Sequence, residues 1–600
     1  MADINITNSE LNFDGDMVAG DKHVHLPPEP PREFTAPFQA PSDLQSFVGR
    51  KKHLEQLAGL GAIGVVPPRF LIHGVPGLGK TTLATRIAWQ LRNVFDGGVL
   101  WVNIEGDELF SKLDEWAFLY TGDKKALSEL DGLDARAERL RQVFQSYAPR
   151  KKILAVLDSV IDDNDEAKLQ TLLRALSDHS ILITSRVRQL VAFPDAIKVD
   201  LEQLDEDETW DLFVKVLGAQ DARLQNARAQ ALEIANVVEF LPMALDLAAR
   251  QLQDNPAWRL DHLLHLLRDE LRQLDILHFG GEESRRAIRA AILVSYKRLS
   301  ADEQTFFDAL GAFAGTDFEE QAAAAVCATA IETTSKRLSK LKRLSLLQPS
   351  STSEQYQQQM LQGGRSPDRY KLHSLLRTFA REQLRAAKLT SEMQLRMATH
   401  YCDIAVENGK KLHGKEMEHA LAILDAEVSN IFAGQKWARE NETQAARELT
   451  RDFVVRGKNG AMTSYFMLRA NWAEWIEWSE SGLAACENLN DEKAAGAIAG
   501  NLGLVYADKG EWDRAIEFYQ QSLAIKERVG DGHGMAQTYT NLGLVYADKG
   551  EWDRAIEFYQ QSLAIKERVG DGHGMAQTYT NLGLVYADKG EWDRAIEFYQ

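Results

Sequence analysis

Between residues 69 and 186 the chain carries short, nearly unbroken apolar runs: "RFLIHGV", "GVLWVNI", "KILAVLD" and "SILITSR". Runs of this length, bounded by polar turns and rich in β-branched residues, fit strands buried on both faces of a parallel sheet. Helical spacing fills the gaps, as in "KTTLATRIAWQLRNVF" and "EAKLQTLLRALSD". Strand–helix alternation predicts a doubly wound α/β domain over 45–200. From residue 201 onward the pattern reads helical, broken mainly by the polar stretch "QPSSTSEQYQQQMLQGGRSP". The N-terminus differs. Ile4 and Ile6, then Leu11 and Phe13, alternate with polar positions around Asp-Gly and Ala-Gly breaks. Residues 1–25 are therefore expected to form a strand–turn–strand motif too small to bury a core alone. The proline-dense stretch 26–44 is expected to be an extended tether.

The C-terminal region repeats. "NLGLVYADKGEWDRAIEFYQQSLAIKERVGDGHGMAQTYT" fills 501–540, recurs unchanged at 541–580, and its first half fills 581–600. A period of this length predicts a solenoid of stacked helix pairs. Tyr539, Leu542, Gly543, Tyr546, Ala555 and Tyr559 resemble the tetratricopeptide signature, with Gly543 allowing close helix approach. Upstream, 461–500 aligns in register as a diverged unit: Trp472 falls at the Trp512 position, and Ile476, Glu477, Leu483 and Glu487 also match. The array is thus expected over 461–600. It stops partway through a second helix without a polar capping helix, which predicts that the native array is longer.

Composition narrows the setting. A length of 600 residues suggests about four units at roughly 150 residues each. No apolar run approaches the roughly 18–20 residues of a membrane helix, and "MADINITNSE" lacks the pattern of a secretory signal. Cys327, Cys402 and Cys486 are scattered, giving neither a disulfide framework nor a metal spacing, so a reducing cytoplasm is expected. A formal charge of −19 argues against broad nucleic-acid or anionic-membrane binding.

"GVPGLGKTT", Gly74 to Thr82, fits G-x-x-x-x-G-K-[ST] between a strand and a helix. In that context Gly74, Gly77, Leu78, Gly79 and Thr82 belong to a loop whose backbone N–H groups wrap phosphates at a helix N-terminus. Lys80 is expected to reach the β- and γ-phosphates, and Thr81 to ligate Mg²⁺. Asp158, closing "KKILAVLD", is expected to hold the same ion through water, unless it only caps a helix. Ser159 stands where many relatives place a second acid, and Asp162 and Asp163 are near in sequence; hydrolysis is expected to be slow. Arg186, ending "ILITSR", lies where an adjacent strand presents a cation to a γ-phosphate, or forms a surface ion pair. His373, beside Leu375, Leu376 and Phe379, taken alone reads as a core or capping histidine.

"FVGRKKHLEQL", "LDSV", "ILITSR", "EFLPMALDLAA" and "YKLHSLLRTFA" occur in the order found in the NB-ARC class of STAND ATPases, and residues 47–385 resemble that class. The resemblance implies a P-loop NTPase domain followed by a small helical domain (201–283), a winged-helix domain (284–388), a helical connector (389–460) and the tetratricopeptide solenoid. It implies that Val48, Gly49 and Arg50 lie near adenine and ribose and that Pro242 packs against the base. His373 becomes a latch, donating to the β-phosphate of bound ADP. Two positions depart from the pattern: Ser374 replaces an Asp after the latch, and Phe240 replaces a Gly before "LP".

The resemblance also implies a function. ADP would hold the domains closed, and exchange for ATP, with Mg²⁺, would open them toward self-oligomerisation. A protein or peptide ligand on the concave face of the repeats would supply the trigger. Apart from the resemblance, residues 1–25 either recruit an effector by edge-to-edge strand pairing or form a disordered or locally folded tail. Two alternatives stand beside this reading. One is a transcription regulator reading DNA through the basic helix that carries Lys336, Arg337, Lys340, Lys342 and Arg343. The other is a repeat scaffold on a structural NTPase fold.

Overall fold

The computed structural model describes residues 36–599 apart from 44–46, 62–66, 105–108, 124–125, 128–129, 131, 150, 161–165, 277–282, 314–316, 351–367, 413, 457–459, 461 and 470. The motif expected over 1–25, Asp162 and Asp163 lie outside the described residues.

The apolar runs form a parallel five-stranded sheet: β1 (Arg69–His73), β2 (Gly98–Asn103), β3 (Ile153–Val160), β4 (Ser180–Ser185) and β5 (Ile197–Asp200), in the order β2-β3-β4-β1-β5. Alternation sorts their side chains into two cores. Phe70, Ile72, Leu154, Val156 and Leu182 face one side, whereas Leu71, Ile153, Ala155, Leu157, Ile181 and Ile183 face the other. β5 gave no apolar run because, at the edge of the sheet, only Val199 of its four residues is buried.

Part of the proline-dense stretch is packed rather than free. Phe38 bridges Val99 of β2, with Gln39 N–H donating to the Val99 carbonyl (2.9 Å) and Val99 N–H to that of Pro37 (2.7 Å). The Phe38 ring meets Trp89 edge-on at 4.7 Å, and Gln39 Oε1 accepts from the indole of Trp116 (2.9 Å). Such pairing covers the exposed edge of β2.

Four helices follow the sheet: Glu206–Leu217, Arg228–Val237, Pro242–Asp254 and Leu260–Ile276. The first opens on a capping box, Asp205 with Glu208. Next come helices Glu283–Tyr296, Ala301–Ala309, Glu320–Cys327, Ile331–Arg343 and Ser374–Ala386. With them is a small antiparallel sheet of β6 (Phe318–Glu319), β7 (Gln348–Pro349) and β8 (Arg369–Lys371), ordered β6-β8-β7. Helices beside a small antiparallel sheet of this kind fit the winged helix expected there. At its back a fully buried Arg369 binds Asp317 (2.6 Å), Glu319 (2.9 Å) and Glu427, the last from helix Met417–Glu440.

The repeats fold as antiparallel helix pairs: Glu492–Asp508 with Trp512–Val529, then Gly532–Asp548 with Trp552–Val569, then Gly572–Asp588 with Trp592–Tyr599. Gly543 answers the close approach expected of it: a Cβ there would meet the Tyr559 ring at 2.6 Å. Helix Trp472–Leu489 begins at Trp472, in register with Trp512.

Candidate functional site

β1 ends at His73, and only six residues separate it from helix Lys80–Gln90, so the intervening loop must turn sharply. Gly77 and Gly79 both adopt φ of 85°, which side chains with a Cβ resist. At Gly77 a Cβ would also lie 2.5 Å from Ile288 Cδ1. Lys80 folds back over the loop, donating through Nζ to the carbonyls of Gly74 (2.7 Å) and Val75 (3.0 Å). Burial, and then the charge of Arg186, push the Lys80 ammonium down to about 8, partly offset by Asp158. A cation so placed is stabilised by any anion entering the loop.

Asp158 is buried on β3 and collects two hydroxyls on Oδ1, from Thr81 (2.8 Å) and Thr184 (2.5 Å). Burial raises its pKa, against the two hydroxyl bonds and the charges of Lys371 and Lys80. Ser159, with φ of 64°, sits in an irregularity of the β3–β4 pairing, and its N–H donates to Thr184 Oγ1 (2.9 Å). The bulge fixes the Asp158 carboxylate beside Thr81. A carboxylate and a hydroxyl held together are the hard oxygen donors that suit a small divalent cation.

Arg50 anchors the other end. Its φ is 62°, and its N–H donates to Glu208 Oε1 (2.6 Å). Its guanidinium, in a residue only 5% exposed, bonds the carbonyls of Leu78 (3.3 Å) and Gln203 (3.4 Å). Gly49 is fixed by the same carboxylate, because a Cβ there would overlap Glu208 at 2.2 Å. Pro242 opens helix Pro242–Asp254, and the next N–H, of Met243, reaches the Gly77 carbonyl (3.3 Å). Ahead of them Glu239 (φ 56°) and Phe240 (φ 52°) are both left-handed. Phe240 therefore keeps the backbone form that a glycine takes there without strain.

His373 caps a helix at the edge of the cavity. It is the N-cap of helix Ser374–Ala386, Nδ1 accepting from Leu375 N–H (3.3 Å), and it also faces the phosphate loop. Burial, then the charges of Lys371, Lys80, Arg186 and Arg377, push its pKa down to about 4. A neutral imidazole accepting at Nδ1 carries its proton on Nε2, leaving one N–H donor.

Val48, Arg50, Gly77 to Thr82, Asp158, Arg186, Pro242 and His373 all line one cavity of about 1550 Å³. Gly49 and Gly74 are not among its lining residues: Gly49 packs against Glu208, and the Gly74 carbonyl accepts from Lys80. Sequence reading missed Thr184, Glu208 and Lys371. Thr184 stands two residues before Arg186 and Lys371 two before His373, so strand alternation was the available signal for both.

Residues 53–223 match the family model of the NB-ARC domain, and 494–568 and 534–600 match that of the tetratricopeptide repeat. The chain thus joins an NB-ARC domain to a C-terminal tetratricopeptide array. It is similar to the Regulatory protein AfsR of Streptomyces coelicolor, with 30% identity over 355 residues, 58% of this chain and 33% of that protein. The chain therefore spans only about a third of that relative's length. The Disease resistance-like protein DSC1 of Arabidopsis thaliana is 29% identical over 181 residues, 29% of this chain and 14% of that one. Among solved structures, a STAND protein with a tetratricopeptide repeat sensor from Pyrococcus horikoshii aligns with a TM-score of 0.45 and 14% identity, over 93% of this chain and 83% of that one. Among the described residues no helix is long and apolar enough to cross a membrane.

Proposed function

We propose that this protein is a nucleotide-switched signalling ATPase, closed around ADP at rest and opened by exchange for ATP. One observation carries the reading: the phosphate loop, the Pro242 helix start and His373, from three separate parts of the chain, line a single cavity. Phosphates would lie against the loop N–H groups and Lys80, with His373 Nε2–H donating to the β-phosphate and Val48, Arg50 and Pro242 at the base. Thr81 and Asp158 would hold Mg²⁺, which neutralises phosphate charge when present. Arg186 would meet the γ-phosphate. With Ser159 in place of a second acid, slow turnover suits a switch that dwells in each state. The tetratricopeptide array would take a protein or peptide ligand on its concave face, release of the body would lead to self-association, and residues 1–25 would recruit the effector. Closed-to-open bias of a hundredfold each way needs roughly 5 kcal/mol, which nucleotide exchange and ligand binding would share.

The DNA-reading alternative rests on the helix Ile331–Arg343, several of whose cations have local partners. Lys336 pairs with Glu332 (2.7 Å), Lys340 with Glu303 (2.6 Å), and Arg343 with Asp254. Such pairing favours the switch over a phosphate-backbone contact.

The test is to identify the nucleotide carried by the purified protein and to weigh the particle before and after loading with ATP. ADP on a monomer is expected, with growth on ATP. Lys80→Ala should strip the nucleotide, and His373→Ala should give assembly without added ligand. Wild-type protein that binds neither nucleotide would overturn the reading and leave the scaffold alternative.

A further inference from the structure

The parallel-sheet domain reads residues 37–43 side chain by side chain. Their backbone bridges Val99 through Pro37 and Gln39, and Gly98 (φ 117°) makes room, because a Cβ there would meet Pro37 at 2.6 Å. The Phe38 ring lies edge-on to Trp89 at 4.7 Å and under the Arg92 guanidinium at 4.8 Å. Gln39 is matched at both ends of its amide. Its Nε2 donates to Glu115 Oε1 (2.5 Å), while Oε1 accepts from Trp101 N–H (3.1 Å) and the Trp116 indole (2.9 Å). Ala40 is buried, the Pro41 carbonyl accepts from the Trp89 indole (2.8 Å), and Asp43 pairs with Arg86 (2.7 Å). Ladder bonds to an extended segment, with pockets for its side chains, are how a sheet edge recognises a peptide. The receiving residues lie between Arg86 and Trp116, so site and ligand are separate pieces of sequence.

We propose that the β2 edge is a peptide-recognition site, filled in a single copy by its own residues 37–43, and that copies held together exchange this segment. Each copy carries one site and one matching peptide, so exchange keeps every contact above and changes only which copy supplies it. In cis the covalent connection gives an effective concentration of about millimolar, which keeps a lone copy self-filled. That advantage falls away once copies are gathered, and a segment that leaves bares ladder groups that demand a new partner. Arg86 and Trp89 sit on helix Lys80–Gln90, so the segment is anchored on the element that opens at the phosphate loop. The exchange goes beyond the nucleotide-switch reading and gives the self-association proposed there a defined contact. Its test needs no nucleotide, so either can fail without the other.

Two measurements on the full chain test this. The first uses a fluorescent synthetic peptide of residues 36–43, "APFQAPSD". Phe38→Ala/Gln39→Ala protein has a spoiled segment and an intact groove. It should bind the peptide at least about tenfold more tightly than wild type, where the site is already filled. A peptide carrying Gln39→Ala loses the amide bonds and should bind about tenfold more weakly or worse. The second measurement mixes the segment variant with Arg86→Ala/Glu115→Ala protein, which keeps the segment and loses part of the groove. Each alone should sediment with the mass of one copy. An equimolar mixture should show two, because one intact segment then meets one intact groove. If the double segment variant melts early, Gln39→Ala alone replaces it, since Phe38 stays on Trp89 and Arg92. A mixture that stays at the mass of one copy overturns the exchange, as does either variant pairing by itself. A peptide that binds variant and wild type alike, or binds equally without its glutamine, overturns the site.

Discussion

A histidine held neutral makes folding depend on pH in a definite direction. His373 titrates near 4 in the folded protein, because burial and then Lys371, Lys80, Arg186 and Arg377 oppose a further charge. Its unfolded value lies near 6.5. Between these values the unfolded chain binds more protons than the folded one, so stability rises with pH across that window. It is complete above the upper value and lost as pH falls toward the lower. From about pH 7 to about pH 5 this group alone should remove roughly 2 kcal/mol. His373→Gln, which keeps an acceptor for Leu375 N–H and a donor, should flatten that part of the profile in thermal melts taken across the range. Equal pH slopes for the two proteins would show that the imbalance lies elsewhere. The phosphate loop was legible because its spacing encodes a local shape. His373 was not legible by spacing, since its environment is assembled from Lys80 and Arg186, nearly two hundred residues or more away along the chain; only resemblance pointed to it.

At the scale of elements the same contrast holds. Strands β1 to β4 and the repeats announced themselves, because a strand buried on both faces must be apolar and an identical unit must fold identically. β5 and the strap at Phe38 did not, as each is a sheet-edge piece whose partners lie across the sheet. The node at Arg369 was equally hidden. Asp317, Glu319 and Glu427 meet there, and Asn430 Nδ2 also donates to the Asp317 carbonyl (2.9 Å). Burial first, and then Glu427, push the Glu319 carboxyl up to about 7 despite the guanidinium. The node joins β6 and β8 to helix Met417–Glu440. Arg369→Met would leave buried carboxylates without their shared cation and should destabilise the protein by roughly 3–5 kcal/mol. Limited proteolysis should then cut near the joint at lower temperature than in wild type. An unchanged melting profile would mean that the carboxylates take up protons at little cost.

Over the whole molecule, the charged contacts that join the array and connector to the cleft lie at the root of the array. Arg469 forms an ion pair with Asp425, and the Tyr465 hydroxyl donates to the same carboxylate (3.1 Å). Across the cavity Asp114, in helix Leu109–Thr121 of the parallel-sheet domain, is ion-paired to Arg136 (2.8 Å) and lies within the field of Arg469 and Asp425. Arg451 with Asp491 (3.1 Å) and Arg439 with Glu477 tie the connector to the first helices of the array. Each later repeat meets chiefly its neighbours, so a solenoid loses stability in nearest-neighbour steps when a unit is removed. Residues 541–580 duplicate 501–540, and their deletion rejoins Thr540 to Asn581 with every local contact type preserved. That deletion should leave ADP release unchanged. Arg469→Ala, in contrast, should quicken it by about fivefold or more, the scale of a modest coupling free energy. Stopped-flow release of a fluorescent ADP analogue compares the two directly. If the deletion quickened release as much as the substitution did, strain would be stored along the array, and its length would itself set the resting state.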